Sequence, residues 1–510
     1  MKMENLAIYI FLFLVAITLV IATVTARMMK TATDYYAAGR KIKGWQNGLA
    51  IAGEFMASAA FLGIGGLICF YGIDGQIYSI CWFASYLVVL LLVAEAIRNS
   101  GKFTFADVVS YRLDSKVMRP MAAIATLVVS LTYLIPQMVA AGALAKLIFN
   151  IPVTWGIVIV GVLMVIYIAF GGMVAATWIQ IIKAILLLSG GYILAIGVMS
   201  FFNFSVNDLF ATVLNTQGLE QHLNPGVWLK NPWERYSLGF SLLFGTAALP
   251  HVLMRFYTVP TKEHAQSSAL WTMTFMGLFH VLTFIFGLGA AVLVGVGVIK
   301  GMDPGGNLAV PLLARFVGGG EGTFGGEFMM AFISAVAFIT IIAAVSGLCI
   351  AASSAFSYDL WFNVVKKGKQ TQPEQVRTAR VSAVAIGVTA ILLSLMVRGQ
   401  NVAYLSGLAF AMAATANLPS IIFSLYWKRL TTAGATIGML GGVVVAVFLV
   451  LAGPKVMGKD ALFPLANPGI VSIPIGFLLT YLGSIFTKDP ESTHKYTELA
   501  VRSQSGLGSE

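Results

Sequence analysis

Apolar runs of about twenty residues recur along this chain from end to end, and they constrain its fold more than anything else in it. Such runs have the length of membrane-crossing helices. In lipid only helices and closed barrels can satisfy their backbone groups. Composition agrees: 58% of the 510 residues are hydrophobic, 10% are charged and the mean hydropathy is +0.87. A soluble domain carries roughly 25% charged residues, so a large soluble catalytic domain is excluded. The reading is an all-α polytopic membrane protein with about 13 transmembrane helices.

Basic residues cluster in alternate loops: Arg27–Lys43, Arg98–Arg119, Arg255–Lys262, Lys366–Arg380, and Lys428 with Arg429. The net charge of +11 therefore marks topology rather than nucleic-acid binding. It places the N-terminus outside and the C-terminus in the cytoplasm of a plasma-membrane protein. The three cysteines lie in apolar runs without metal-ligand spacing. The run Leu6–Ala26 exceeds a signal-peptide core and reads as a retained first helix.

Two spans are interrupted. Asn47–Gly66 is rich in Gly, Ala and Ser and carries a carboxylate, Glu54, with no basic residue nearby in sequence. The span Tyr236–Tyr257 is broken by Gly245, Thr246 and Pro250. They stand five spans apart, as two inverted repeats require, and paired interruptions point to a transport site. The expected organisation is a first helix and loop (1–47), a five-helix repeat (48–202) and an external loop (203–235). A second repeat (236–427), two further helices (428–486) and a polar, mobile tail (487–510) follow. An intramembrane carboxylate is a functional candidate.

The stretch Tyr167–Ala184 resembles the signature of the sodium/solute symporter family through Gly171, Gly172, Met173, Ala175 and Trp178. Ile179, Gln180 and Lys183 stand where most members have Thr, Asp and Gln. With Gly245–Val259 and Ser353–Trp361, that variant is similar to the cation/acetate symporter (acetate permease) branch. The resemblance implies a leucine-transporter-type inverted-repeat core, and Na+ coupling in most members. It implies a cation site from the carbonyls of Gly53 and Met56, the Thr340 carbonyl and two hydroxyl positions. Those two fall on Ala343 and Ala344, which have no hydroxyl; Ser346 lies one turn on. Glu54 is then a further cation ligand or the carrier of a coupling proton, so Na+ is favoured and H+ stays open.

Leu249 and Pro250 replace the Asn and Gln of sugar-transporting relatives, which implies a smaller, more apolar pocket. The expected solute is acetate or another short monocarboxylate, lodged against Phe55, Ala57, Ser58, Gln137 and Thr246, its charge facing a half-helix N-terminus. No enzyme and no cofactor is expected beyond the coupling ion. The partners are the solute and the lipid bilayer, with no nucleic acid. A same-fold symporter for proline, pantothenate or another organic anion is the alternative; a membrane sensor is weaker. Arg255 reads as an interfacial anchor or structural ion pair, His251 as a packing residue, and Lys183 as reaching the interface.

Overall fold

The computed structural model describes residues 31–508 except 171 and 172, together with isolated positions between 8 and 24. The first span, Leu6–Ala26, and the motif residues Gly171 and Gly172 fall outside the continuous described residues. From the second span to the thirteenth, a helix stands at every position expected. They are Gly44–Phe55 with Ala59–Tyr71, Ile73–Ser100, Ser115–Phe149, Val153–Phe170, Met173–Ser200, Pro232–Arg255, Lys262–Met302, Phe324–Val365, Gln372–Ser394, Val402–Tyr426, Thr432–Leu451 and Gly469–Ile485. Among the described residues nine helices are long and apolar enough to cross a membrane, and the bent pair Gly44–Phe55 and Ala59–Tyr71 makes a tenth. The fold is an all-helical, multi-pass membrane protein.

Both interrupted spans break where the sequence suggests, for different reasons. The first bends by 53°. It has no proline there; Met56 leaves helical geometry (φ −71°, ψ 37°), and tight packing on either side holds the bend. A Cβ on Gly53 would lie 2.5 Å from the Gln180 carbonyl oxygen, and one on Gly63 would lie 2.5 Å from the Ala403 amide nitrogen. The second break follows from Pro250. A residue before proline avoids the α region, and Leu249 is extended (φ −74°, ψ 120°), while Pro250 opens the second half-helix at a position that needs no N–H donor.

The basic loops gather on one face. Arg98 donates to the carbonyls of Val259 and Pro260, Ile42 N–H to that of Thr258, and Arg112 to that of Lys428. Arg119 pairs with Asp107 at 2.9 Å and with Asp359 at 2.8 Å. On the other face, Asp74 accepts from the amides of Gly226, Trp228 and Leu229, tying the 203–231 segment to the helix Ile73–Ser100.

The tail departs from expectation. Beyond residue 487 the chain is not loose: Pro490–Ser505 is a helix, begun by an Asp489 cap and Pro490. It is docked on the basic face. Asn99 Nδ2 donates to the Ser503 carbonyl (2.9 Å) and Arg502 Nε to the Asn99 carbonyl (3.0 Å). Arg112, buried beneath it, donates to the carbonyls of Ser424, Trp427, Lys428 and Leu430 and to Ser492 Oγ. Removing such a donor strands several buried acceptors, each at about 1–3 kcal/mol before relaxation. Arg112→Ala is expected to release the tail helix: hydrogen exchange across 490–505 should rise at least tenfold while exchange in Val402–Ala416 stays unchanged. Unaltered protection of the tail would contradict this role.

Candidate functional site

One buried ion pair joins the two broken spans. Arg255, the last residue of the second half-helix Pro250–Arg255, donates from Nε to Glu54 Oε2 at 2.9 Å. The side chains are 1% and 3% exposed. Arg255 Nη1 donates to Thr177 Oγ1 at 2.9 Å, and Asn47 Nδ2 donates to the Arg255 carbonyl at 3.1 Å. Of the two roles read for Arg255, the structure shows the ion pair; an interfacial anchor is ruled out by its burial. A methyl group on Gly347 would collide with Glu54 Oε1, so the glycine gives the carboxylate its room. Glu54 Oε1 and Arg255 Nη2 have no hydrogen-bond partner among the described residues.

Of the expected solute residues, Phe55, Ala57 and Ser58 lie at the first break, Gln137 meets Ser58, and Thr246 lies at the second. Phe55, Ala57, Ser58, Gln137 and Thr246 are all buried, so the region is closed to solvent in this conformation. Ser58 Oγ donates to Gln137 Oε1 at 2.7 Å, which leaves Gln137 Nε2 a buried donor without a partner among the described residues. Phe55 packs edge-on against Tyr86 (5.3 Å) and Phe410 (6.1 Å). Tyr133 packs edge-on against Phe410 at 5.5 Å and lies 5.3 Å from the His251 ring. Tyr86 Oη, Trp82 Nε1 and both His251 ring nitrogens are likewise buried without partners. Thr246 donates to the Leu242 carbonyl on its own helix (3.2 Å). Asn417 Nδ2 donates to the Ala248 carbonyl at 3.0 Å, meeting an acceptor that the second break frees.

The expected cation ligands lie on the Phe324–Val365 helix and the first break; on that helix the carbonyls of Thr340 and Ala343 are engaged. Lys183 does not reach the interface. It is fully buried, and its Nζ donates to the Thr340 carbonyl at 2.9 Å. Gln180 Nε2 and Ser346 Oγ both donate to the Ala343 carbonyl, at 3.0 and 2.8 Å. Sequence reasoning flagged Gln180 and Lys183 as departures from a motif but not as residues facing this helix. Thr177, Asn47, Tyr86 and Asn417 were not singled out; the hydrogen-bond partners of Thr177, Asn47 and Asn417 lie 78 to 221 residues away in the chain.

Breaking a buried ion pair from one side costs about 3–5 kcal/mol, whereas replacing both members by apolar groups is often neutral. Glu54→Met alone is therefore expected to lower the thermal midpoint of the purified protein strongly. Glu54→Met combined with Arg255→Met should recover most of that loss. If the double variant is as unstable as the sum of the singles, the two residues are not coupled as the geometry implies.

With this geometry in view, similarity to known proteins places the chain. The model for "Sodium:solute symporter family" matches residues 35–442. The chain is 44% identical to an "Uncharacterized symporter YwcA" of Bacillus subtilis (strain 168), over 99% of both chains. Among solved structures it resembles a Na+-coupled sialic acid symporter in a substrate-bound outward-open state, with a TM-score of 0.77, 16% identity, and coverage of 94% of this chain and 98% of that one. It also resembles Mhp1, a nucleobase-cation-symport-1 family transporter, at a TM-score of 0.54 and 14% identity, with 92% and 99% covered. These two likenesses are of fold. By the span and identity of the sequence matches, the chain belongs to the sodium:solute symporter family.

Proposed function

We propose that this symporter imports acetate or another short monocarboxylate together with a cation. The observation that carries the reading is a set of buried donors without partners beside the first break. Gln137 Nε2 and Tyr86 Oη are buried without partners among the described residues, and Phe55, Tyr86, Tyr133 and Phe410 pack there as an aromatic cluster. A buried donor left unpaired is costly, and a carboxylate oxygen pairs with such donors strongly. The aromatic walls suit a short alkyl group. The acetate-permease likeness of Gly245–Val259 and Ser353–Trp361 supports the same solute.

Coupling has an electrical reason. Carrying one negative charge into a cell against a negative-inside potential costs about 2.3 kcal/mol per 100 mV. One cation entering with the anion cancels that term. The family and the Na+-coupled structural relative favour Na+; Glu54, a carboxylate at the break, keeps H+ as the alternative. With the basic loops in the cytoplasm, the N-terminus is outside and the docked tail helix inside. Proline, pantothenate or another organic anion on the same site is the second reading, separable by competition.

The test is uptake of labelled acetate into proteoliposomes, with Na+ and H+ gradients imposed separately and an acetic-acid leak control. Uptake driven by at least one gradient is expected, and Gln137→Ala should raise the half-saturating concentration by roughly tenfold, about 1.4 kcal/mol. Absence of driven uptake with either gradient would overturn the acetate assignment.

A further inference from the structure

We infer that the side-chain nitrogen of Lys183 stands where the coupling cation is expected between Gly53, Met56 and Thr340, and that no metal ion binds there. A hard cation needs several oxygen ligands at once. On the Phe324–Val365 helix those oxygens are committed. The Thr340 carbonyl holds Lys183 Nζ at 2.9 Å, and the Ala343 carbonyl holds Gln180 Nε2 and Ser346 Oγ. The Thr340 hydroxyl donates to the Ala337 carbonyl at 2.6 Å. Ala343 and Ala344 bring no side-chain oxygen.

The other wall of the position is formed by the same helical turn. Gly53 packs so closely on Met173–Ser200 that a Cβ there would sit 2.5 Å from the Gln180 carbonyl oxygen and 3.1 Å from Ala184 Cβ. Gln180, Lys183 and Ala184 are spaced i, i+3, i+4 and share a helix face. Lys183 therefore issues from the turn wedged against Gly53 and ends on the helix carrying Thr340. Its nitrogen links the broken span's neighbour to Phe324–Val365, the bridging a metal ion would otherwise supply. Lysine is almost never fully buried unless paired, and the partner here is a main-chain oxygen, the kind of ligand a metal ion takes. Two charged groups that act on it, Glu54 and Arg255, are already joined to each other. A cation that couples to transport then binds elsewhere in the chain.

The test is equilibrium binding of radioactive sodium and of labelled acetate to the purified full-length protein, wild type beside Lys183→Ala. The Lys183→Ala variant, its carbonyls freed, is expected to bind one more sodium per chain than the wild type. When choline replaces Na+, the acetate affinity of the variant should fall about tenfold further than that of the wild type, and recover in Na+. Equal sodium stoichiometry in the two proteins would overturn the inference, whatever the solute. Should Lys183→Ala fail to fold, Lys183→Ser takes its place in the same comparison. Only the choice of acetate as labelled solute rests on the monocarboxylate reading. If acetate binds neither protein, that reading fails and the sodium stoichiometry alone decides the role of Lys183.

Discussion

Glu54 and Arg255 hold the centre of this molecule together. Their side chains, 201 residues apart in sequence, meet at 2.9 Å in a region closed to water. Each belongs to a half-helix of a broken span: Glu54 lies one residue before the end of Gly44–Phe55, at the first break, and Arg255 closes Pro250–Arg255, at the end away from the second break. Neither charge could be buried alone, because the desolvation cost of a lone ion in a low-dielectric interior is several kcal/mol. The pair thus fixes the register of one repeat against the other. Asn47, Thr177 and Gly347 complete it by taking the Arg255 carbonyl, accepting from Nη1 and leaving space for the carboxylate.

What lies beside the pair follows from it. Two interrupted helices leave unsatisfied backbone groups, and each break is met by a neighbour. Asn417 takes the Ala248 carbonyl, and Gln180 and Lys183 take carbonyls on the helix facing the first break. Donors such as Gln137 Nε2 stay without partners among the described residues.

Much of the architecture was legible in the chain. Apolar runs placed the order of the helices from the second span onward, and the alternating basic loops foretold the face on which Arg98, Arg112 and Arg119 now meet partners from other loops. Pro250 announced the second break, since its chemistry is local. The first break was visible only as a crowd of small residues, because what bends it is packing against Gln180 and Ala403. Lys183 was misread because a lysine near the end of an apolar run normally snorkels; only the opposing Thr340 carbonyl, 157 residues on, shows why it stays inside. The tail was read as loose from its polarity, although Asp489-Pro490 is a helix-start signal; what the tail docks on is a tertiary fact.

The central claim, that a small carboxylate lodges at the unwound turn of the first broken span, is open to one direct measurement. In a background lacking Cys69, Cys81 and Cys349, Ala57→Cys places a thiol at that turn. Its rate of modification by a small thiol reagent can be followed in membranes with acetate or with uncharged acetamide. The account requires acetate to slow modification at least tenfold and acetamide to leave it unchanged. Equal rates with and without acetate, or equal slowing by both compounds, would contradict it.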